Sequence, residues 1–159
     1  GIFAEEKFMQ EIRFLRESDR AEYVTMAAEF YASPAVAHPV DAAHFERAFD
    51  EMLRSRERAV GLIIEKDGAI AGYVVLVRFY SQEAGGEVIW IDEIYVRERF
   101  RAVGLGHAAF ERIFELFPDA AAFRLEVEPE NRRAWQLYKS LGFAPMEYAS
   151  MIKNTDHKM

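Results

Sequence analysis

Between a strand-like run, Val88 to Val96, and a segment whose helical periodicity begins near His107 stands one hexad, Arg101-Ala102-Val103-Gly104-Leu105-Gly106. Few folds accommodate that order. A strand must end, the chain must turn on residues with little bulk, and a helix must start at once. Glycines let backbone N–H groups approach an anion closely. The positive end of the following helix points at the same place. The pattern predicts a cradle for a phosphate-bearing ligand, with a diphosphate cofactor as the expected occupant.

The flanking sequence predicts the rest of the architecture. Glu11 to Leu15 alternates as a strand would. Ser18-Asp19 reads as a helix N-cap opening Arg20 to Tyr31, which Ser33-Pro34 and His38-Pro39 break. Asp41 can cap a second helix to about Ser55, with Phe45, Phe49, Met52 and Leu53 at helical spacing. Ala59 to Ile64, Ile70 to Tyr80 and Val88 to Val96 are strands. Lys66-Asp67-Gly68 and the Gln82 to Gly86 loop join them, so an antiparallel meander is expected. The second half alternates helix and strand: Gly106 to Phe117, Ala121 to Val127, Pro129 to Leu141 stopped by Gly142, then Phe143 to Ile152 as a strand or hairpin. A β–α–β unit of this kind pairs its two strands in parallel. A dinucleotide fingerprint is the rival for the hexad, with Ala109 in place of its third glycine. A doubly wound sheet would alternate from its start, and this chain does not.

The chain has 159 residues, which predicts one domain spanning 9–153, with a tail at 154–159. Residues 1–8 precede a plausible natural start at Met9 and read as a remnant or a short native extension. There is no cysteine, which excludes disulfides, thiolate metal ligands and a cysteine nucleophile. No run of about 18 apolar residues suggests a membrane span, and no signal peptide opens the sequence, so a cytoplasmic location is expected. The net charge of −7 argues against a nucleic-acid partner and suits a cationic substrate. His38, His44 and His157 lack ligand spacing on a helix, so no metal site is expected. No Gly-x-Ser-x-Gly elbow is present.

A second motif lies downstream. Glu128-Pro129-Glu130-Asn131-Arg132-Arg133-Ala134-Trp135, followed by Leu137-Tyr138-Lys139-Ser140-Leu141-Gly142-Phe143, resembles the second signature of the GNAT superfamily of N-acetyltransferases. The Arg-x-x-Gly-x-Gly hexad resembles that superfamily's pyrophosphate loop. Ile91-Asp92-Glu93-Ile94-Tyr95-Val96 resembles the acidic fourth strand of its polyamine and related small-amine branch. One departure stands out: Ala102 occupies a position that is commonly glycine there.

The resemblance implies an α/β fold with a mixed, mostly antiparallel central sheet flanked by helices. Strands 4 and 5 would splay apart to form a cleft, often at a bulge. It implies acetyl-coenzyme A as co-substrate and a small-molecule amine as acceptor, with homodimers common in the superfamily. Backbone from Ile94 through Tyr95 to Val96 would hold the pantetheine arm. Arg101, Val103, Gly104, Leu105, Gly106 and His107 would surround the diphosphate, with Arg97 and Arg99 adding local positive charge. Asn131 would contact the cofactor while capping its helix. Tyr138 would protonate the leaving thiolate, a role that suits a phenol still protonated at neutral pH. Asp92 and Glu93 are the candidate bases, with Glu126 and Glu128 as further options. Neighbours on a regular strand face opposite sides, so only one can point at the amine directly; the resemblance to the polyamine pattern makes Asp92 the first choice for the substrate and Glu93 the second. Other readings are a protein N-terminal or lysine acetyltransferase, and a module that binds acyl-coenzyme A without turnover.

Overall fold

The computed structural model describes residues 10–34, 36 and 38–155. The proposed start at Met9, the preceding residues and His157 lie outside them. The described residues form five strands: β1 Gln10–Phe14, β2 Ala59–Lys66, β3 Ala69–Ser81, β4 Gly86–Val96 and β5 Ala122–Leu125. Four α-helices accompany them: α1 Arg20–Tyr31, α2 Ala42–Arg54, α3 Leu105–Leu116 and α4 Arg132–Ser140. The sheet runs in sequence order, β1 to β5. The first four strands pair antiparallel, and β4 and β5 pair in parallel across the α3 crossover. This is the expected α/β class. The chain divides into two compact units, one ending at Glu126 and one starting at Val127.

In the first unit the sheet is covered on both faces. Tyr73 and Val75 of β3 and Ile63 of β2 pack against Tyr23, Met26 and Ala27 of α1 and Phe45, Phe49 and Met52 of α2. The alternate residues Leu62, Ile64, Val74, Leu76 and Ile89 are fully buried on the opposite face, as the two-residue period of a strand requires. On that side Phe114 of α3 meets Phe123 of β5 edge-on, with ring centroids 4.8 Å apart. Each fully buried Phe or Leu contributes about 1.5–3 kcal/mol.

Local chemistry sets the element ends. Asp41 accepts a hydrogen bond from Ala43 N at 2.9 Å and caps α2 as expected. Asp67 (φ 53°) and Gly68 (φ 79°) form the left-handed pair of a two-residue hairpin turn. Asp19 departs from expectation. It stands where an N-cap would, but its carboxylate accepts from Arg16 N (2.8 Å) and from both terminal nitrogens of Arg13 (2.8 and 2.9 Å). Burial acts to raise its pKa, yet the Arg13 guanidinium wins and holds it below the usual carboxylate range.

The second unit holds α4 and little other regular structure. Its helix starts at Arg132 rather than Pro129, because Asn131 caps it by accepting from Ala134 N at 3.2 Å. Gly142 closes it at φ 95°. The strand or hairpin expected over Phe143 to Ile152 does not form: residues 143–155 carry no strand. Period-two alternation allows a strand, but only a partner strand supplies its ladder bonds, and none pairs with this segment.

Candidate active site

The site begins where the parallel ladder stops. β4 and β5 pair from Val88↔Ala122 to Ile91↔Leu125 and no further. β4 continues to Val96, held only by β3. Arg97 N donates to Ala71 O (2.8 Å), so the N–H of Arg97 points at β3. Backbone direction alternates along a strand. Ile94 and Val96 therefore turn their N–H and C=O toward the edge that β5 has left. That edge is a template onto which an extended, amide-bearing ligand can pair.

A bulge sits at the same point. Glu93 pairs with Val75 and Ile91 pairs with Leu76, leaving Asp92 as the extra residue. The register puts Trp90 opposite Val77 and Glu93 opposite Val75, so both face the α1/α2 side. Asp92 accepts from Trp90 Nε1 at 3.3 Å. The bulge thus brings two adjacent carboxylates to one face, where an unbroken strand would divide them. The division expected from alternation gives way to this arrangement.

Glu93 is tied into the helical layer. It accepts from Tyr31 Oη at 2.7 Å and Tyr73 Oη at 2.8 Å. Burial raises its pKa above the usual 4.5, the two phenols oppose the shift, and the Asp92 charge adds to it. Asp92 is raised too, chiefly by desolvation, against the Trp90 hydrogen bond. The Asp92 side chain is nonetheless solvent-exposed. Its shift belongs to a group crowded by neighbouring atoms that displace part of the water around it. Burial first, then the Glu93 charge and hydrogen bond, raises the Tyr31 phenol, which stays a donor.

Past β4 comes a short 3₁₀ turn, Glu98–Phe100, then the hexad. Ala102 (φ 66°) and Gly104 (φ 81°) both adopt left-handed backbone. Gly104 is the N-cap of α3 and has no side chain to satisfy the helix donors. The first intrahelical bond is Ala108 N to Gly104 O (3.0 Å), so the N–H groups of Leu105, Gly106 and His107 point outward from the helix start. Nothing lies within 4 Å of where a Cβ on Gly104 would stand. Arg101 donates from Nε to Val96 O at 2.7 Å and lies over the Tyr95 ring. It joins the open strand edge to the cradle. His107 Nδ1 faces Glu111 at 3.4 Å. Arg97 is engaged with Glu22 (2.7 Å) and Ile70 O (3.1 Å), and Arg99 stacks on Phe100. Tyr95 donates its hydroxyl to Glu29 at 2.7 Å and turns its backbone toward β3, so the open edge is offered by its neighbours Ile94 and Val96.

Asn131 and Tyr138 belong to the second unit. They fall on one side of α4 because seven residues make nearly two turns. The Tyr138 ring meets Phe143 edge-on, with centroids 6.1 Å apart, and burial raises the Tyr138 pKa. Its hydroxyl is thus protonated across the neutral range. Glu128 offers its backbone carbonyl to Trp135 Nε1 at 3.1 Å.

Three polar groups around the carboxylates carry no sequence signal: Tyr31, Tyr73 and Trp90. Tyr73 lies in an apolar strand and Tyr31 at a helix end. Strand register and helix packing bring Tyr73 and Tyr31 to Glu93, while Trp90 reaches Asp92 from two residues away on the same strand.

An open sheet with a splayed parallel pair, a bulged acidic strand and a glycine-opened helix defines an acyl-transfer scaffold. The chain belongs to the acetyltransferase (GNAT) family, whose model matches residues 15–143. It is similar to thialysine N-epsilon-acetyltransferases of Sus scrofa and Mus musculus. The former is 33% identical over 75 residues, 46% of this chain and 44% of that protein. The latter is 29% identical over 146 residues, 82% of each. The chain thus spans under half of the pig protein in that match. A Bacillus subtilis protein, provisionally described as a ribosomal-protein alanine N-acetyltransferase, is 35% identical over 88 residues, 53% of each chain. Among solved structures, a possible acetyltransferase from Clostridium difficile 630 shares the fold with a TM-score of 0.80. It has 19% identity, over 94% of this chain and 99% of that one.

Proposed function

We propose that this chain transfers the acetyl group of acetyl-coenzyme A to the primary amine of a small molecule by direct attack, without an acyl-enzyme. The observation that carries the reading is the coincidence of three features at one end of β4. These are two carboxylates gathered by a bulge, an unpaired backbone edge, and a helix start opened by glycine. The residues fit the co-substrate. The outward N–H groups of Leu105, Gly106 and His107 suit a diphosphate, with Arg101, Val103 and Gly104 beside them. The edge from Ile94 to Val96 suits the amides of a pantetheine arm. Bound acetyl-coenzyme A supplies the activated acyl group.

An alkyl amine is protonated at neutral pH, with an ordinary pKa near 10.4, and must lose a proton to become a nucleophile. Glu93, with its pKa raised by burial, takes that proton directly or through water, and Asp92 holds the ammonium beside it. The amine nitrogen then forms its bond to the acyl carbon as the carbon–sulfur bond breaks. Tyr138 gives its proton to the sulfur, and Asn131 steadies the cofactor arm. Proximity and oriented backbone donors lower the remaining barrier. The names of the thialysine acetyltransferases support a small amine as acceptor. The Bacillus subtilis similarity favours a second reading, acetylation of a protein N-terminus.

The test is thiol release from acetyl-coenzyme A across polyamines, diamines, amino acids, aminoglycosides and short peptides. Turnover confined to small amines supports the proposal, and turnover on peptides alone replaces it with the second reading. Tyr138→Phe should lower kcat by about 10²–10⁴ while leaving cofactor affinity intact. A parent that binds cofactor yet turns over nothing would be a binding module.

A further inference from the structure

One cation on the α1/α2 side of the sheet has no counter-ion among the described residues. Arg124 lies on β5, opposite Trp90 of β4 and one residue before the parallel ladder ends. Residues opposite each other in a sheet point to the same side. Arg124 therefore shares the α1/α2 face with Trp90 and, through the bulge, with Asp92 and Glu93. Its guanidinium carbon sits 5.4 Å from the centroid of the Trp90 ring. Its Nε is buried and has no hydrogen-bond partner among the described residues.

The missing partner is the informative part. Two carboxylates lie on the neighbouring strand, one and two residues beyond the ladder's end, yet neither turns to Arg124. Asp92 accepts from Trp90 Nε1, and Glu93 is taken by the Tyr31 and Tyr73 hydroxyls. A buried guanidinium N–H left without a partner is costly. The arrangement places a positive and a negative pole on one face of the sheet, Arg124 over the face of the Trp90 ring and Asp92 at its Nε1 edge. A ligand carrying both charges satisfies both poles. Its ammonium meets Asp92 and Glu93, and its carboxylate takes the guanidinium fork in the two-pronged geometry that arginine offers. A polyamine or diamine would instead bring a second cation toward Arg124, where it is repelled.

We propose that Arg124 is a specificity-determining residue that binds a carboxylate on the acceptor. The substrate class is then an amino-carboxylate and not a polyamine. The inference rests on the acetyltransferase reading and narrows it.

The experiment measures kcat/KM for two pairs of amines matched in chain length: lysine against cadaverine, and 6-aminohexanoate against hexylamine. In the parent protein the carboxylated member should be favoured by about tenfold to a hundredfold, the range of a hydrogen-bonded charge. In Arg124→Gln that ratio should fall toward one, mainly through KM of the carboxylated member. A merely structural role would lower both members together and leave the ratio standing. Arg124→Lys keeps the charge and should keep part of the preference, which covers a Gln variant that fails to fold. A parent ratio near one, a preference for the diamine, or turnover on peptides alone overturns the inference while leaving acetyl transfer intact. A parent that binds acetyl-coenzyme A but acetylates no amine at all removes the acetyltransferase reading and this inference with it.

Discussion

Glu93 shows how one residue's chemistry depends on its surroundings. Burial raises its pKa above 4.5. A carboxyl that holds its proton more tightly when folded stabilises the fold below its unfolded pKa and loses that contribution as pH rises through the folded value. Glu93→Gln should therefore gain stability relative to the parent between pH 4 and pH 7, as urea unfolding at the two values will report. The same shift predicts an acid limb in kcat/KM above pH 4.5 that disappears in the variant. A limb at the ordinary value would remove Glu93 from the role of base. Ala102 makes the second residue-scale prediction. At φ 66° a Cβ costs about 1–2 kcal/mol, partly offset by the stiffer unfolded chain. Ala102→Gly should stabilise by about 0.5–1 kcal/mol, and Ala102→Val should destabilise. Thermal melts decide it. The departure from glycine was legible in the sequence, whereas the backbone conformation that gives it meaning was not.

Among the elements, β4 matters most, and β3 limits where it can lie. A Cβ on Gly72 would run into the backbone carbonyl of Tyr95, an atom that no rotamer change can move. Gly72→Ala should cost about 1–3 kcal/mol and displace the Tyr95–Val96 edge, weakening acetyl-coenzyme A binding beyond the loss of stability. Calorimetric titration alongside denaturant unfolding separates the two effects, and unchanged affinity would argue that the edge takes no part in binding. Element limits that depend on local chemistry were legible. α1 runs over the predicted Arg20 to Tyr31, and α2 starts after its Asp41 cap. Limits that depend on a partner were not. β5 ends at Leu125, two residues short of expectation, because β4 no longer pairs with it. The predicted terminal strand has no partner and does not form.

For the molecule as a whole, the measurable consequence of the proposed cradle is linkage. A ligand that binds only the folded state stabilises it by about 2.7 kcal/mol at a hundred times its Kd. Added acetyl-coenzyme A should raise Tm with concentration and slow amide exchange over residues 94–107. A Tm indifferent to cofactor would refute the site. No helix among the described residues is long and apolar enough to cross a membrane.

The amino-acid sequence alone was enough to determine the class of fold, the antiparallel meander followed by a β–α–β crossover, and the glycine-opened start of α3 where the phosphate cradle is proposed. Period, caps, turn glycines and the hexad all act over a few residues, so they are written locally. Tertiary structure decided which side each carboxylate faces, because a single bulged residue reverses the alternation at Asp92. It also decided that Tyr31 and Tyr73 hold Glu93, and that Arg124 stands over Trp90 with no counter-ion among the described residues. Those relations join residues from 20 positions apart (Tyr73 to Glu93) to 62 positions apart (Tyr31 to Glu93). Contacts across such separations exist only once strand register and helix packing have closed the chain on itself.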